Sequence, residues 1–300
     1  MESFNKDIIV PVNFSSESEN SLVEAVFLAK LLKNKIHLIN VIEVTDWWSK
    51  LVLTKETKEK LSRLSIENLK KTAEQHPEIE FKLEVLFGRI HEQILKYSAS
   101  IDSGLIVLCD KHKEEQEDKI IGSTLTHVIT ESKCPVITIK NKIDTEISNI
   151  VVPIDLSEDS DRQILSAITF NKNSNATLHF ISVLFPGFGT RNFRIKKKVG
   201  KLEKTLKENN INYKIKLIKK LRPYAYMDIL EYSEEINSDL IVLMTHKEKY
   251  RFDNYIGAFA HRIINYSKVP VMTITSQAAK IETSSVVDFV DPFGILKKTK

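Results

Sequence analysis

Ile9-Val10-Pro11-Val12-Asn13-Phe14-Ser15 returns 142 positions later as Val151-Val152-Pro153-Ile154-Asp155-Leu156-Ser157. His37-Leu38-Ile39-Asn40-Val41 returns at the same offset as His179-Phe180-Ile181-Ser182-Val183. Further on, the offset becomes 135: Ile94-Leu95-Lys96-Tyr97 matches Ile229-Leu230-Glu231-Tyr232, and Leu105-Ile106-Val107-Leu108 matches Leu240-Ile241-Val242-Leu243. Ile121-Gly122-Ser123 with Ile256-Gly257-Ala258, and Pro135-Val136-Ile137-Thr138-Ile139 with Pro270-Val271-Met272-Thr273-Ile274, keep that spacing. Matches that hold their order and spacing define an internal repeat. One seven-residue deletion in the second copy, around its second helix, accounts for every pair.

Within each copy two periods alternate. Residues 7–12, 35–44, 80–87, 104–109 and 135–140 are short, nearly continuous β-branched runs, the pattern of strands buried on both faces. Helical patterns occupy 18–33, 56–75, 90–101 and 122–132. In the first, Leu22, Val23, Val26, Phe27, Ala29 and Lys30 make one apolar stripe, and Ser15 or Ser16 caps it, with Glu19 completing a capping box on Ser16. The second copy places its strands at 149–154, 176–184, 213–221, 239–244 and 269–274. Strand–helix alternation implies right-handed crossovers. The expected fold is therefore α/β: two tandem open parallel five-stranded sheets with helices on both faces, in Rossmann-like or flavodoxin-like layers. Domain 1 takes residues 1–140, a polar linker 141–148, domain 2 149–275 and a tail 276–300.

Length and composition agree with that division. Three hundred residues suit two cores of ordinary size, and 42% hydrophobic with 28% charged residues is a globular composition. The 44 basic and 40 acidic groups are mixed, so nucleic acid and membrane are not expected as partners, and Lys196-Lys197-Lys198 reads as a solvated helix face. The first residues lack an export pattern, and no apolar run approaches the ~20 residues of a membrane helix. Cys109 ends one strand and Cys134 begins the next, at opposite ends of the sheet, so no disulfide is expected and a reducing cytoplasm is the simplest compartment.

In open parallel sheets, ligands sit outside the strands' carboxyl ends where strand order reverses. Those segments resemble the universal stress protein family. Its opening V-P-V-D-x-S is matched by Val10-Pro11-Val12-Asn13-Phe14-Ser15 and more fully by Val152-Pro153-Ile154-Asp155-Leu156-Ser157; its closing A/C-P-V is matched by Cys134-Pro135-Val136 and Val269-Pro270-Val271. The resemblance implies an adenine-nucleotide-binding type of domain, often duplicated, that pairs through its last strand. Here that implies intramolecular pairing of the two domains through 135–140 and 269–274, the pattern an isologous homodimer would use; a homodimer of whole chains remains a second expectation.

ATP-binding members carry G-x2-G-x9-G-[ST] after strand four. Glycines let backbone N–H groups approach phosphates, and the final Gly-Ser opens a helix whose N-terminus favours anions. In copy one the pattern falls on Cys109, His112, Gly122 and Ser123; in copy two it falls on Met244, Lys247, Gly257 and Ala258. The spacing survives and most glycines do not. In loop 110–119 five acidic groups oppose Lys111, Lys113 and Lys119, a net of −2; loop 246–254 sets Lys247, Lys249 and Arg251 against Glu248 and Asp253, a net of +1. By the resemblance, Pro11, Asn13 and Val41 line an adenine and ribose pocket in copy one, and Pro153, Asp155 and Val183 do so in copy two. The bland alternatives are strand-end packing for the prolines and valines, a turn or cap for Asn13 and Asp155, and for Gly122 a helix start passing close to a strand.

Other features point to less. His112 and His246 stand alone in their loops, no His/Cys/Asp cluster has ligand spacing, and no nucleophile elbow, Walker loop or G-x-G-x-x-G run occurs. Trp47-Trp48, and Phe185-Pro186-Gly187-Phe188-Gly189 at the matching place, follow the second strands, where they either close over a ligand or pack on their own domain. The tail run Val286-Val287-Asp288-Phe289-Val290-Asp291-Pro292-Phe293-Gly294 is too apolar for a free end, which predicts that it docks on this chain or a second one. The expectation is a cytoplasmic, non-enzymatic stress-response regulatory or binding module with degraded nucleotide loops, its protein partner unnamed by the sequence. The rival is an ATP-binding switch, with slow hydrolysis at most, using one retained pocket; no cofactor is established, and ATP is the one the resemblance admits.

Overall fold

The computed structural model describes residues 3–45, 54–109, 121–140, 146–154, 160–184, 189–219, 224–245 and 256–275. Copy one runs β1 (Ile8–Pro11), α1 (Ser16–Leu32), β2 (Ile36–Glu43), α2 (Lys55–Glu74), β3 (Phe81–Gly88), α3 (Ile90–Ile101), β4 (Leu105–Cys109), α4 (Ser123–Glu131) and β5 (Val136–Ile139). Copy two runs β6 (Asn149–Pro153), α5 (Ser160–Ser174), β7 (Thr177–Leu184), α6 (Gly189–Glu208), β8 (Tyr213–Lys219), α7 (Ala225–Glu235), β9 (Leu240–Thr245), α8 (Ala258–Tyr266) and β10 (Val271–Thr275). Each expected strand is present within a few residues of its expected ends. Helices α2 and α6 both keep 20 residues. The connection before the second helix instead shrinks from 11 residues (44–54) to four (185–188), which locates the length difference between the copies.

The strands form one sheet in the order β3-β2-β1-β4-β5-β10-β9-β6-β7-β8. All neighbours are parallel except β5 and β10, which pair antiparallel with Met272 opposite Ile137, Thr273 opposite Val136 and Val271 opposite Thr138. Ile137 and Met272 are equivalent positions at the 135 offset, so the pseudo-two-fold axis passes through that pair. Cross-copy bonds flank it: Thr275 Oγ1 donates to the Ser132 carbonyl at 2.7 Å and Lys140 Nζ to the Asn265 carbonyl at 2.5 Å. On one face Phe4 of copy one meets Phe170 of copy two edge-on at 5.4 Å.

This junction changes the expected two cores. The buried apolar residues divide by sheet face, not by copy. One cluster joins Val10, Leu38 and Ile137 to Val152, Phe180 and Met272 beneath α1 and α5. The other joins Ile9, Ile106 and Val136 to Val151, Ile241 and Val271 beneath the helix pairs α3–α4 and α7–α8. A sheet continuous through β5 and β10 lets each face's apolar layer run across the junction, since alternate residues of every strand feed the same layer.

Helix α1 shows both the reach and the error of the stripe reading. Leu22, Ala25, Val26, Leu28, Ala29 and Leu32 are buried at helical spacing, whereas Val23 is exposed and Phe27 only half-buried. Lys30 reaches out to Glu78 at 2.8 Å. Ser15, not Ser16, is the N-cap: its Oγ accepts from Ser18 N–H at 3.4 Å, and Ser18 Oγ donates to the Ser15 carbonyl at 2.9 Å. Glu19 therefore falls one residue beyond the capping-box position.

Cys109 pairs with Ile139 at the carboxyl end of β4 while Cys134 precedes β5, and neither is in a disulfide. No helix among the described residues is long and apolar enough to cross a membrane.

Candidate functional site

The order of strands reverses between β1 and β4 in copy one and between β6 and β9 in copy two. In copy one the ladder joins only Ile8 with Leu105 and Ile9 with Ile106, after which the strands part. Copy two repeats this with Ile150–Leu240 and Val151–Ile241. Each parting opens a crevice at the carboxyl edge, the place where a ligand fits in such sheets.

Strand alternation puts Pro11 on the same side as Ile9, and Val41 packs on that same cluster, the one α4 covers. Pro153 follows Val151 in the same way, and Val183 follows Ile181. Pro11, Val41 and the start of α4 thus share one face of the first crevice. Pro153, Val183 and the start of α8 share one face of the second. Asn13 is exposed beyond β1; its Oδ1 accepts from Ser15 N–H at 3.2 Å, an Asx turn that leads into α1 while Phe14 takes φ 61°. The turn role proposed for Asn13 is therefore the one its contacts show. Asp155 lies outside the described residues, as do His112, His246, Trp47, Trp48, most of the 185–189 segment and the tail.

Helices α4 and α8 open without a capping side chain. Gly122 (φ −57°, ψ 145°) and Gly257 (φ −50°, ψ 140°) are their N-caps. A Cβ built on either would touch nothing within 4 Å. Close passage to a strand, the bland explanation for Gly122, is thus corrected: the space beside it is open, and its backbone suits any L-residue. What remains is a helix start with no capping side chain among the described residues, beside exposed Ser123, and such a start favours an anion. Gly122→Ser should stabilise the unliganded chain by about 0.5–1 kcal/mol, by adding a cap oxygen and removing glycine's unfolded-state freedom. Thermal unfolding checks this, and a loss of stability would contradict the open space.

Among the described residues no group of three His, Cys, Asp or Glu side chains could hold a metal ion. Cys109 and Met244, at the first glycine position of the family pattern, are held in the ladder opposite Ile139 and Ile274.

Two structural groups escaped sequence reading. Gln163 of α5 is buried, and its Nε2 donates to the carbonyls of Pro153 (2.7 Å) and Val242 (2.8 Å). It ties together the strands that part at the second crevice, satisfying carbonyls the ladder leaves open. At the matching position Ser21 bonds within its own helix, to the Ser18 carbonyl at 2.9 Å. At the opposite, amino edge, His37 sits between Tyr97 Oη (2.8 Å) and Asp7 Oδ2 (2.9 Å). His179 sits between Tyr232 Oη (2.8 Å) and Asn149 Oδ1 (3.1 Å). In copy two, where the ring is neutral, the Tyr232 O–H donates to Nδ1 and Nε2–H donates to the Asn149 oxygen. The repeated histidines in the two second-strand motifs were the available signal.

Comparison with known proteins places these features. The model of the universal stress protein family matches residues 5–140 and again 146–275. The universal stress protein MJ0531 of Methanocaldococcus jannaschii is 24% identical over 147 residues, covering 46% of this chain and 84% of that protein. A universal stress protein from Archaeoglobus fulgidus superposes with a TM-score of 0.73 at 20% identity, over 92% of this chain and 99% of that one. A protein described as a putative universal stress protein, from Pseudomonas aeruginosa, superposes at 0.66 and 14% identity, over 92% and 95%. With the family model matching twice along the chain, this protein belongs to the universal stress protein family as a tandem, two-domain member.

Proposed function

We propose that this chain is a cytoplasmic stress-response regulatory or binding module, not an enzyme, whose two copies form an internal pseudo-dimer. The observation that carries the reading is at the ends of β4 and β9. There Cys109 and Met244, side chains held in the ladder, occupy the position where a phosphate-cradling glycine would stand. A Cβ at that point keeps backbone N–H groups from closing on a phosphate. Mass spectrometry of the denatured, freshly purified protein tests it: no stoichiometric nucleotide is expected, and an equimolar adenine nucleotide would overturn the reading.

The second reading, an ATP-binding switch in copy one, is favoured by the open space at Gly122 and the uncapped start of α4. Under it Pro11 and Val41 flank the base, and Gly122 and Ser123 meet the phosphates. In copy two Pro153, Val183 and Gly257 would take those places.

A further inference from the structure

The two copies differ most sharply on one helix pair. At the 135 offset, Arg89, Glu92, Thr124 and Glu131 of α3–α4 correspond to Tyr224, Met227, Phe259 and Tyr266 of α7–α8. These four are 50%, 39%, 40% and 44% exposed, and they are half of the exposed large apolar side chains among the described residues. The others, Phe14, Val23, Leu64 and Phe193, are scattered over different segments. Copy one folds with polar residues at all four places, so the scaffold does not need apolar ones. Exposed apolar side chains gathered on one helix pair mark a docking surface.

One cation lies in it. The Arg262 guanidinium is 5.0 Å from the ring centre of Tyr224 and 5.1 Å from that of Tyr226, and Nη1 donates to Tyr226 Oη at 3.3 Å. Tyr226 in turn stacks on Tyr266 at 6.1 Å. In copy one the residue in Arg262's place is His127, whose Nδ1 lies 3.0 Å from Glu131. Copy two has exchanged that glutamate for Tyr266, so among the described residues Arg262 meets aromatic rings and no carboxylate.

We propose that this face receives the chain's own C-terminal segment, residues 286–293. Position comes first: β10 ends at Thr275 level with Thr245 of β9, at the carboxyl edge of the sheet. Helices α7 and α8 begin at that edge, with Tyr226, Met227 and Phe259 on their first turns, so the chain leaves the sheet beside the face. Reach is ample, since the ten residues 276–285 can span up to ~35 Å and α8 is only ~14 Å long. Chemistry also fits: Val286, Val287, Phe289, Val290 and Phe293 supply apolar surface, and Asp288 and Asp291 supply carboxylates to meet Arg262.

Hydrogen exchange with mass spectrometry on the full chain tests this. Amides of 286–293 should exchange at least tenfold more slowly than in a triple variant carrying the copy-one residues, Met227→Glu, Phe259→Thr and Tyr266→Glu. Those residues already sit on the equivalent helices of copy one, and an unchanged melting temperature of the triple variant in a chain ending at Ser276 shows that the fold is kept. Arg262→Gln alone should lose part of the protection. Unprotected exchange in the full chain, or equal protection in the triple variant, overturns the proposal. Protection that grows with protein concentration also overturns it, because the occupant is then a second chain.

Discussion

Met272→Asp should lower the melting temperature by roughly 10 °C. Met272 is fully buried opposite Ile137 at the pseudo-two-fold axis, in the apolar layer of one sheet face, so a carboxylate there would be buried among apolar side chains. An uncompensated buried charge costs about 3–5 kcal/mol, and each kcal/mol moves the melting temperature of a chain of 150–250 residues by about 2–4 °C. Because each apolar layer crosses the junction, the damage reaches both copies. The native chain should unfold in one transition and the Asp variant in two. Met272→Ile, which installs the residue of the equivalent position in copy one, should cost less than about 1.5 kcal/mol. Scanning calorimetry reads all three. An Asp variant within about a degree of the native chain would mean that the two sheets are not joined through β5 and β10.

Acid should weaken the fold through copy two first. Burial, helped by the charge of Lys214, pushes the His179 imidazole down to about 4 from its usual 6.5. Between those values the unfolded chain holds a proton that the folded chain refuses, so stability rises with pH across this window and falls as pH drops through it. At 1.36 kcal/mol per pH unit the loss reaches about 2 kcal/mol by pH 5 and about 3 kcal/mol near pH 4. In copy one, burial raises the Asp7 carboxyl, but the hydrogen bond and charge of His37, with the charge of Lys82, outweigh it and leave the group below its ordinary value. The stability Asp7 contributes is present above its unfolded value near 3.8 and is lost at lower pH. Chemical denaturation at pH 7, 5 and 4.5 samples the His179 window, and a further measurement near pH 3 reaches that of Asp7. His179→Gln should be less stable at pH 7 yet lose about 2 kcal/mol less on moving to pH 5; a profile parallel to the native one would refute the assignment.

The strands were legible because both faces of a parallel sheet are covered, so runs such as Leu105-Ile106-Val107-Leu108 need no alternation to be recognised. The pairing of the copies through β5 and β10 was implied by the family resemblance together with the repeat. The division of the core by sheet face was not, because it depends on the hand of each strand at the junction, which no local pattern carries. Val23 belongs by periodicity to the α1 stripe, yet the stripe turns past it toward Ala25 and Leu28. Gln163 was invisible for a related reason: its partners, the Pro153 and Val242 carbonyls, are distant in sequence and joined only by the parting of β6 and β9. At the candidate site, Pro11, Val41 and the start of α4 share one face of the sheet, as Pro153, Val183 and the start of α8 do in copy two. The two bland readings beside them divided: Asn13 makes the turn expected of it, and Gly122 lacks the close contact that would have explained a glycine there.

Crevices that keep the family's architecture without its phosphate grip should leave both the native chain and Gly122→Trp unmoved in a thermal-shift titration with Mg-ATP. The expected result is no saturable shift up to millimolar ATP in either protein. Saturable stabilisation of the native chain that disappears in Gly122→Trp would contradict it and establish copy one as a working nucleotide site.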